Sequence, residues 1–360
     1  MKILFLAPYP QNQAPSQRFR FEQYLPVLSQ QGHYWEFHGF LDSASWRILF
    51  VRGKALRKAM GVMEGFLRRS LLLTRLHAFD AVFLHREAAP LGPPVFEWII
   101  AKVWRKPLIY DFDDAIWLPD NIQEGRAMRW LKYRSKVALI CRWSRAVSAG
   151  NDYLAAFARQ HAPRVVVNPT TIDTEQMHNP AHFRNADNRP GRVVIGWTGS
   201  HSTLKYLKGM EPVLKQLSDT YAHVHFLFIA DQPPSLALPR TTFVPWSLET
   251  EISALAAIDI GIMPLPDDAW ANGKCGFKAL QYMALEKAAV VSPVGVNTTI
   301  VTDGSNGLLA ATPEQWHRAL EQLIQDPALR QRLGQAGRLR VQRAYSVVSN
   351  TERFLSLFDK

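Results

Sequence analysis

Two lysines, Lys274 and Lys278, sit four residues apart around a glycine-bearing turn, Gly273-Lys274-Cys275-Gly276-Phe277-Lys278. The apolar run Ile258–Met263 before this turn reads as a strand. Phe277, Leu280, Ala284 and Ala288 after it fall at helical spacing. Lys274 and Lys278 therefore stand at or just before the first turn of a helix beginning near Gly276. A cation is disfavoured there, because the helix dipole already makes that end partly positive. Two of them make sense if a strong anion such as a diphosphate lies between the lysines and the first-turn backbone N–H groups. Solvated lysines beside structural glycines are the plainer alternative for either lysine alone; the strand, turn and helix together favour the anion site. Gln281, three residues beyond Lys278, shares a face with it.

A second phosphate candidate follows the strand Val193–Trp197. The turn Gly196-Trp-Thr-Gly199-Ser200-His-Ser-Thr203-Leu-Lys205 offers backbone and hydroxyl donors, and Lys205 adds charge. Such turns also serve as simple helix caps. A third candidate, Tyr110-Asp111-Phe112-Asp113-Asp114, closes a strand with three carboxylates within four residues. Carboxylates so crowded are costly to bury unpaired, so they are expected to face solvent or a functional cleft. Asp111 and Asp113 also spell the Asp-X-Asp of metal-dependent transferases, a short motif that arises often by chance. Arg18, after the first strand, and Arg86, in His85-Arg86-Glu87 after the Ala81–Leu84 strand, are acceptor-side candidates with Asp114.

The elements that must position these groups alternate in type. Lys2–Ala7, Ala81–Leu84, Pro107–Tyr110 and Val165–Val167 read as strands in the first half, with a helical segment over Phe19–Gln31. Val193–Trp197, Val224–Ala230, Ile258–Met263 and Ala289–Ser292 read as strands in the second. Strands separated by helices imply parallel βαβ units. Between the halves, Asn168–Arg192 is polar, carries Asn179-Pro180 and Pro190-Gly191, and has no apolar period. The expected organisation is an N-terminal domain over 1–170, a linker over 171–192, a second domain over 193–345 and a C-terminal helix over 346–360. That last helix is expected to present Val348, Thr351, Leu355 and Phe358 on one face and to cross back to the N-terminal domain. Two α/β halves leave a cleft between them, a common place for small-molecule sites.

Length and charge agree. A chain of 360 residues, 47% hydrophobic and 20% charged, is globular and long enough for two cores. The two cysteines, Cys141 and Cys275, cannot build a disulfide framework or a metal cluster, which suits a reducing cytoplasm. No apolar run is long enough to span a bilayer. The net charge of +11 belongs to residues 1–170, with 24 Lys/Arg against 13 Asp/Glu; residues 171–360 hold 18 of each. The excess concentrates in Trp46–Leu76, with eight Lys/Arg and only Glu64, and in Arg126–Arg145, with seven and no acid. Basic amphipathic stretches of this kind suit the anionic cytoplasmic face of a membrane. Solvated faces are the plainer alternative, and no recognisable module supports nucleic-acid binding.

The second half, from about Arg192 to Tyr345, resembles the donor domain of glycosyltransferase family 4, retaining enzymes of the GT-B fold in the group 1 class. The matching pieces are the glycine loop with Lys205 six residues after Gly199, the run Leu255–Pro264, Leu280-Gln-Tyr-Met-Ala284, Val290-Val-Ser-Pro-Val-Gly295 and Val301-Thr-Asp-Gly-Ser-Asn-Gly-Leu-Leu309. The resemblance implies two Rossmann-like domains facing each other across a cleft. The family's two glutamates, separated by seven residues, fall at Gly273 and Gln281, so the ribose contact becomes an amide. The arginine expected after Gly199 is Ser200, and Lys278 is placed to supply the missing charge. Aligned on its strand, the family's histidine position falls at Asp113, near the anomeric centre of the sugar.

Together these readings give a cytoplasmic, metal-independent, retaining glycosyltransferase without cofactor, peripheral to the membrane and acting in polysaccharide or glycolipid biosynthesis. It would move sugar from a nucleotide-diphosphate donor to a glycan or lipid-linked glycan. Asp113, Lys205 and Lys278 are the catalytic candidates. Gly199, Ser200, Thr203, Lys274, Gly276, Phe277 and Gln281 are those for the nucleotide, with no metal ligand. A nucleotide-sugar epimerase of the same fold, or a catalytically silent membrane scaffold, are the alternatives.

Overall fold

The computed structural model describes residues 1–49, 51, 53–119, 131–183 and 191–359. They divide into two compact units, Met1–Thr170 with Asn350–Lys360, and Thr171–Ser349. Phe50, Arg52, Arg126, Arg129 and the 184–190 part of the expected linker lie outside the described residues.

Unit 1 is built on six parallel strands in the order β2-β1-β3-β4-β5-β6. They are β1 (Lys2–Ala7), β2 (Tyr34–Gly39), β3 (Ala81–His85), β4 (Leu108–Phe112), β5 (Ala146–Ala149) and β6 (Val165–Val167). The helices are α1 (Pro15–Arg18), α2 (Leu25–Gln30), α3 (Ser43–Ile48), α4 (Ala55–Leu73), α5 (Val95–Trp98), α6 (Lys136–Trp143) and α7 (Asp152–Arg159). Strands β3, β4 and β5 are buried throughout, which is why they read as continuous apolar runs rather than alternating ones.

Unit 2 also has six parallel strands, in the order β12-β11-β10-β7-β8-β9. These are β7 (Val193–Thr198), β8 (Val224–Ala230), β9 (Thr241–Pro245), β10 (Ile260–Met263), β11 (Ala288–Val291) and β12 (Leu308–Leu309). Its helices are α8 (Leu204–Lys208), α9 (Glu211–Thr220), α10 (Glu251–Ala256), α11 (Ala269–Asn272), α12 (Phe277–Ala284), α13 (Asn297–Ile300), α14 (Pro313–Gln325) and α15 (Pro327–Ala344). A capping box between Thr312 and Gln315, with Pro313 in the first turn, starts α14. A last helix, α16 (Val347–Leu355), takes the chain back into unit 1.

Both sheets reverse strand order once, at β1/β3 in unit 1 and at β7/β10 in unit 2. In open α/β sheets ligands bind outside the carboxyl ends of the strands at such points.

Three local expectations are corrected. Phe19–Gln31 is not one helix: a 3₁₀ turn at Glu22–Tyr24 precedes α2, because Pro26 has no N–H to bond back to Glu22. Ala288 belongs to β11 and not to the apolar face of α12, which ends at Ala284. At the C-terminus Val348 is 70% exposed, while Phe354, Leu357 and Phe358 are buried. Asn350 and Phe354, four apart within the helix, set the buried face, and Leu357 and Phe358 continue it, so that face lies about one position off the expected stripe. Phe354 stacks on Tyr24 at 4.3 Å, and Phe358 lies 6.3 Å from Phe5.

A buried ion cluster joins three strands of unit 1 and the residue that follows a fourth. Asp111 is fully buried. It pairs with the equally buried Arg20, whose Nε donates to Oδ2 at 3.3 Å. It also accepts from His85 Nδ1 at 2.7 Å and from Ser148 Oγ at 2.6 Å. Arg20 donates as well to the carbonyl of Asn168, just past β6. Burial works to raise the Asp111 pKa, but Arg20 and His85 outweigh it and hold the carboxyl far below the usual range. A depressed folded pKa contributes stability above the unfolded value of about 3.9, and that contribution is lost as pH falls below it. Asp111→Asn, which leaves Arg20 charged and buried, is expected to lower unfolding free energy in urea at pH 7 by about 3–5 kcal/mol. The gap between variant and wild type should narrow below about pH 4; a gap independent of pH would contradict this account.

Candidate active site

In unit 2 the two phosphate candidates meet on one side chain. Gly199 follows β7, and a Cβ there would run into the indole of Trp197 and approach Thr203 Oγ1 to 2.7 Å. The turn after it is a capping box, with Ser200 N–H donating to Thr203 Oγ1 at 3.2 Å. Lys278, at the second position of α12, carries its ammonium over the same Trp197 ring, 5.4 Å from the centroid. Trp197 is therefore the floor joining the Gly199 turn to the start of α12. In the sequence Trp197 stands at the end of a strand and inside the Gly196–Lys205 turn, with nothing to mark it as the partner of Lys278.

Gly276 caps α12 with φ of +68°, and a Cβ there would meet the Ile300 side chain. Both the left-handed backbone and the contact demand glycine. No side chain caps α12. The preceding loop is not irregular throughout: Asp268 accepts from Ala271 N–H at 2.7 Å and starts α11. Lys274 follows that turn with its ammonium 5.1 Å from the Trp270 ring. Phe277 is half-buried beside it.

Lys205 is exposed in α8. It borders a cavity of about 310 Å³ also lined by Met210, Pro264, Leu265, Ser292 and Trp316. This cavity opens beyond the ends of β10, β11 and β12, beside α8 and the start of α9.

Gln281 is 1% exposed and donates from Nε2 to Glu251 Oε1 at 3.1 Å; Glu251, in α10, is 2% exposed. The carboxylate missing from α12 is thus present beside Gln281, supplied by another helix thirty positions earlier in the chain. No local pattern around Glu251 signals this. Nor does any local pattern mark Tyr282. Its hydroxyl accepts from Thr198 N–H at 3.0 Å and lies 3.3 Å from the Ile262 carbonyl, tying α12 to both strands of the switch point.

Unit 1 brings three of its candidates together. Arg86 has φ of +60°. It donates from Nε and Nη2 to Asp113 Oδ1 at 2.9 and 2.7 Å, and from Nη2 to Asp114 Oδ2 at 2.8 Å. Burial opposes the Arg86 charge, but Asp113 and Asp114 outweigh it and raise its pKa. For Asp113, burial raises and Arg86 lowers, with the lowering dominant, so it is an ion-paired carboxylate. Asp111, by contrast, does not face solvent as the sequence suggests, since the Arg20 cluster engages it. Asp111 and Asp113 thus serve different cations. Among the described residues no group of three or more His, Cys, Asp or Glu is arranged to hold a metal ion. Arg18 is almost buried, its guanidinium 5.0 Å from the Phe19 ring, and the structure does not group it with Arg86.

The Tyr282 hydroxyl gives a direct check on this architecture. Tyr282→Phe leaves the buried Thr198 N–H without its acceptor, so chemical denaturation should show a loss of about 1–3 kcal/mol. A neutral effect would mean that the strand end does not depend on α12.

Residues 192–326 match the family described as glycosyl transferases group 1. No protein with a curated description matches the sequence. Among solved structures, sucrose-phosphate synthase from Thermosynechococcus elongatus superposes with a TM-score of 0.72 at 13% identity, over 99% of this chain and 98% of that one. Anabaena HepE in complex with UDP-glucose superposes with a TM-score of 0.65 at 16% identity, over 99% and 98%. The α,α-trehalose 6-phosphate synthase of Burkholderia multivorans gives 0.65 at 11% identity, again over 99% and 98%. At such identities these likenesses speak for the fold. Residues 192–326 thus resemble the group 1 glycosyltransferases, and with its two six-stranded Rossmann-like sheets the chain has the GT-B fold.

Proposed function

We propose that this protein is a retaining, metal-independent glycosyltransferase that takes a sugar from a nucleoside-diphosphate donor and passes it to a glycan or lipid-linked glycan. The observation that carries the reading is the convergence of the Gly199 turn and Lys278 on Trp197, at the N-terminus of α12 and the β7/β10 switch point. A diphosphate fits this place because fixed donors and cations meet developing negative charge there without reorganising. Lys205, Lys278 and the α12 N-terminus stabilise the departing diphosphate, Ser200 and Thr203 add hydroxyls, and Lys274 reinforces the field. The sugar passes through an oxocarbenium-like state.

Gln281, at the place where the family has a ribose-contacting glutamate, is buried and engaged by Glu251, so its part is to hold α12 and α10 together behind the site. Arg86, Asp113 and Asp114 form the acceptor-side group of unit 1, in which Asp113 orients the reacting hydroxyl. HepE has been solved with UDP, and with UDP-glucose, which makes a uridine-diphosphate sugar the first donor to test. The basic excess of unit 1 suits work at an anionic membrane face, in glycolipid or polysaccharide assembly.

Isothermal calorimetry against UDP, GDP and ADP should find micromolar or tighter binding of one of them and none of nicotinamide dinucleotides. Lys205→Ala and Lys278→Ala should each lower turnover about 100-fold or more. For the exposed Lys205, stability should change by no more than about 0.5 kcal/mol. Full activity in both variants, or no binding of any nucleoside diphosphate, would remove the diphosphate site.

A further inference from the structure

Helix α4 has two apolar faces, and packing within unit 1 accounts for only one. On the inner face Gly61 lies against Ser45, Gly65 lies against the Phe40 ring, and Leu72 is buried. On the same face the buried Arg69 donates to the carbonyls of Ala88, His38 and Ala7 at 2.9–3.0 Å. The outer face carries Leu56, Met60, Met63, Leu67 and Leu71, each between 52% and 75% exposed. Their spacing of four, three, four and four makes a single stripe along the helix. Isolated exposed aliphatics are ordinary, but a contiguous ridge of five marks an interaction surface.

Helix α5 packs beside α4 and adds exposed apolar side chains of its own. Trp98, Val103 and Trp104, in α5 and the π-helical turn after it, are each more than a third exposed. Phe96 lies 6.0 Å from Phe66 of α4, and the Trp104 ring lies 6.4 Å from His77, just past the end of α4. Around this patch stand the exposed cations Arg47, Lys54, Arg57, Arg75, Lys102 and Arg105, against one exposed acid on α4, Glu64. Arg47, Lys54 and Arg57 border an open groove of about 650 Å³ beside Met60.

We infer that this face of α4 and α5 docks on an anionic lipid bilayer, with α4 lying in the plane of the interface. The inference rests on the membrane part of the reading above and goes beyond it by naming the surface. Charge selects the occupant. A second copy of the chain in a two-fold contact would set this cationic rim against itself. An anionic bilayer neutralises the rim while the Leu/Met ridge enters the acyl boundary. Exposed tryptophans flanked by Lys and Arg are the side chains enriched at headgroup level. Among the described residues no helix is long and apolar enough to cross a membrane, so contact through α4 is by attachment and not by spanning.

The test is flotation of the full chain with vesicles of phosphatidylcholine alone or mixed with phosphatidylglycerol. The wild type should float with the mixed vesicles and not with phosphatidylcholine alone. Met63→Ser with Leu67→Ser should weaken binding at least 10-fold. Arg47→Ala, Lys54→Ala and Arg57→Ala together should weaken it about 100-fold and flatten its salt dependence. All five positions lie on the exposed side, so circular dichroism and nucleotide calorimetry should match the wild type. Preserved nucleotide binding beside lost flotation separates this surface from the donor site. The inference is overturned if the wild type ignores anionic vesicles or if the serine variant binds as tightly as the wild type. It is also overturned if sedimentation reveals a dimer that the serine variant dissolves.

Discussion

The second unit of this protein depends on how closely one helix can approach its sheet. Helix α12 lies against β10 at Gly261, where any Cβ would run into the Tyr282 ring. That lack of a side chain lets the Tyr282 hydroxyl reach the Thr198 N–H and approach the Ile262 carbonyl, at the ends of β7 and β10. Burial raises the phenol's pKa, so it stays protonated. Gly196 on β7 makes the matching accommodation for Ile258. The start of α12, Lys278 and the Gly199 turn are thereby fixed around Trp197. Backbone proximity sets the proposed site, and the charged side chains are mounted on it.

Unit 1 solves the same positioning problem with charge. Its strand ends are joined by the Arg20–Asp111–His85 cluster, and Arg69 holds three carbonyls from beneath α4. Lys136, also buried, pairs with Glu87 at 2.6 Å and donates to the Ala89 carbonyl. Buried pairs of this sort add specificity of arrangement more reliably than net stability. Part of the basic excess of residues 1–170 is therefore structural. What remains for the surface is concentrated around α4 and α5, beside a ridge of aliphatic side chains that the fold leaves uncovered.

Much of the architecture was legible in the linear chain. Parallel strands buried on both faces leave apolar runs, and the turns after them carry glycines that no other residue can replace, as at Gly199 and Gly276. The Arg86, Asp113 and Asp114 candidates, separated in sequence, prove to be one hydrogen-bonded group. Where reading failed, a nonlocal contact decided the outcome. Asp111 looks like its neighbours Asp113 and Asp114 in sequence, yet it is buried, because Arg20 arrives from 91 positions away. The C-terminal helix buries Asn350, Phe354, Leu357 and Phe358 rather than the Val348 stripe, because a polar Asn350 takes a place on the covered face.

The sequence by itself determined two α/β halves, a glycosyltransferase-like donor segment and a charge asymmetry, since strand runs, glycine turns and residue counts are local properties. Only the tertiary structure decided that Glu251 stands beside Gln281, that Trp197 underlies Lys278, and that α4 keeps a second apolar face. Each of these depends on which surfaces meet after folding. Local periodicity records that a face is apolar, but it carries no information about what, if anything, will cover it.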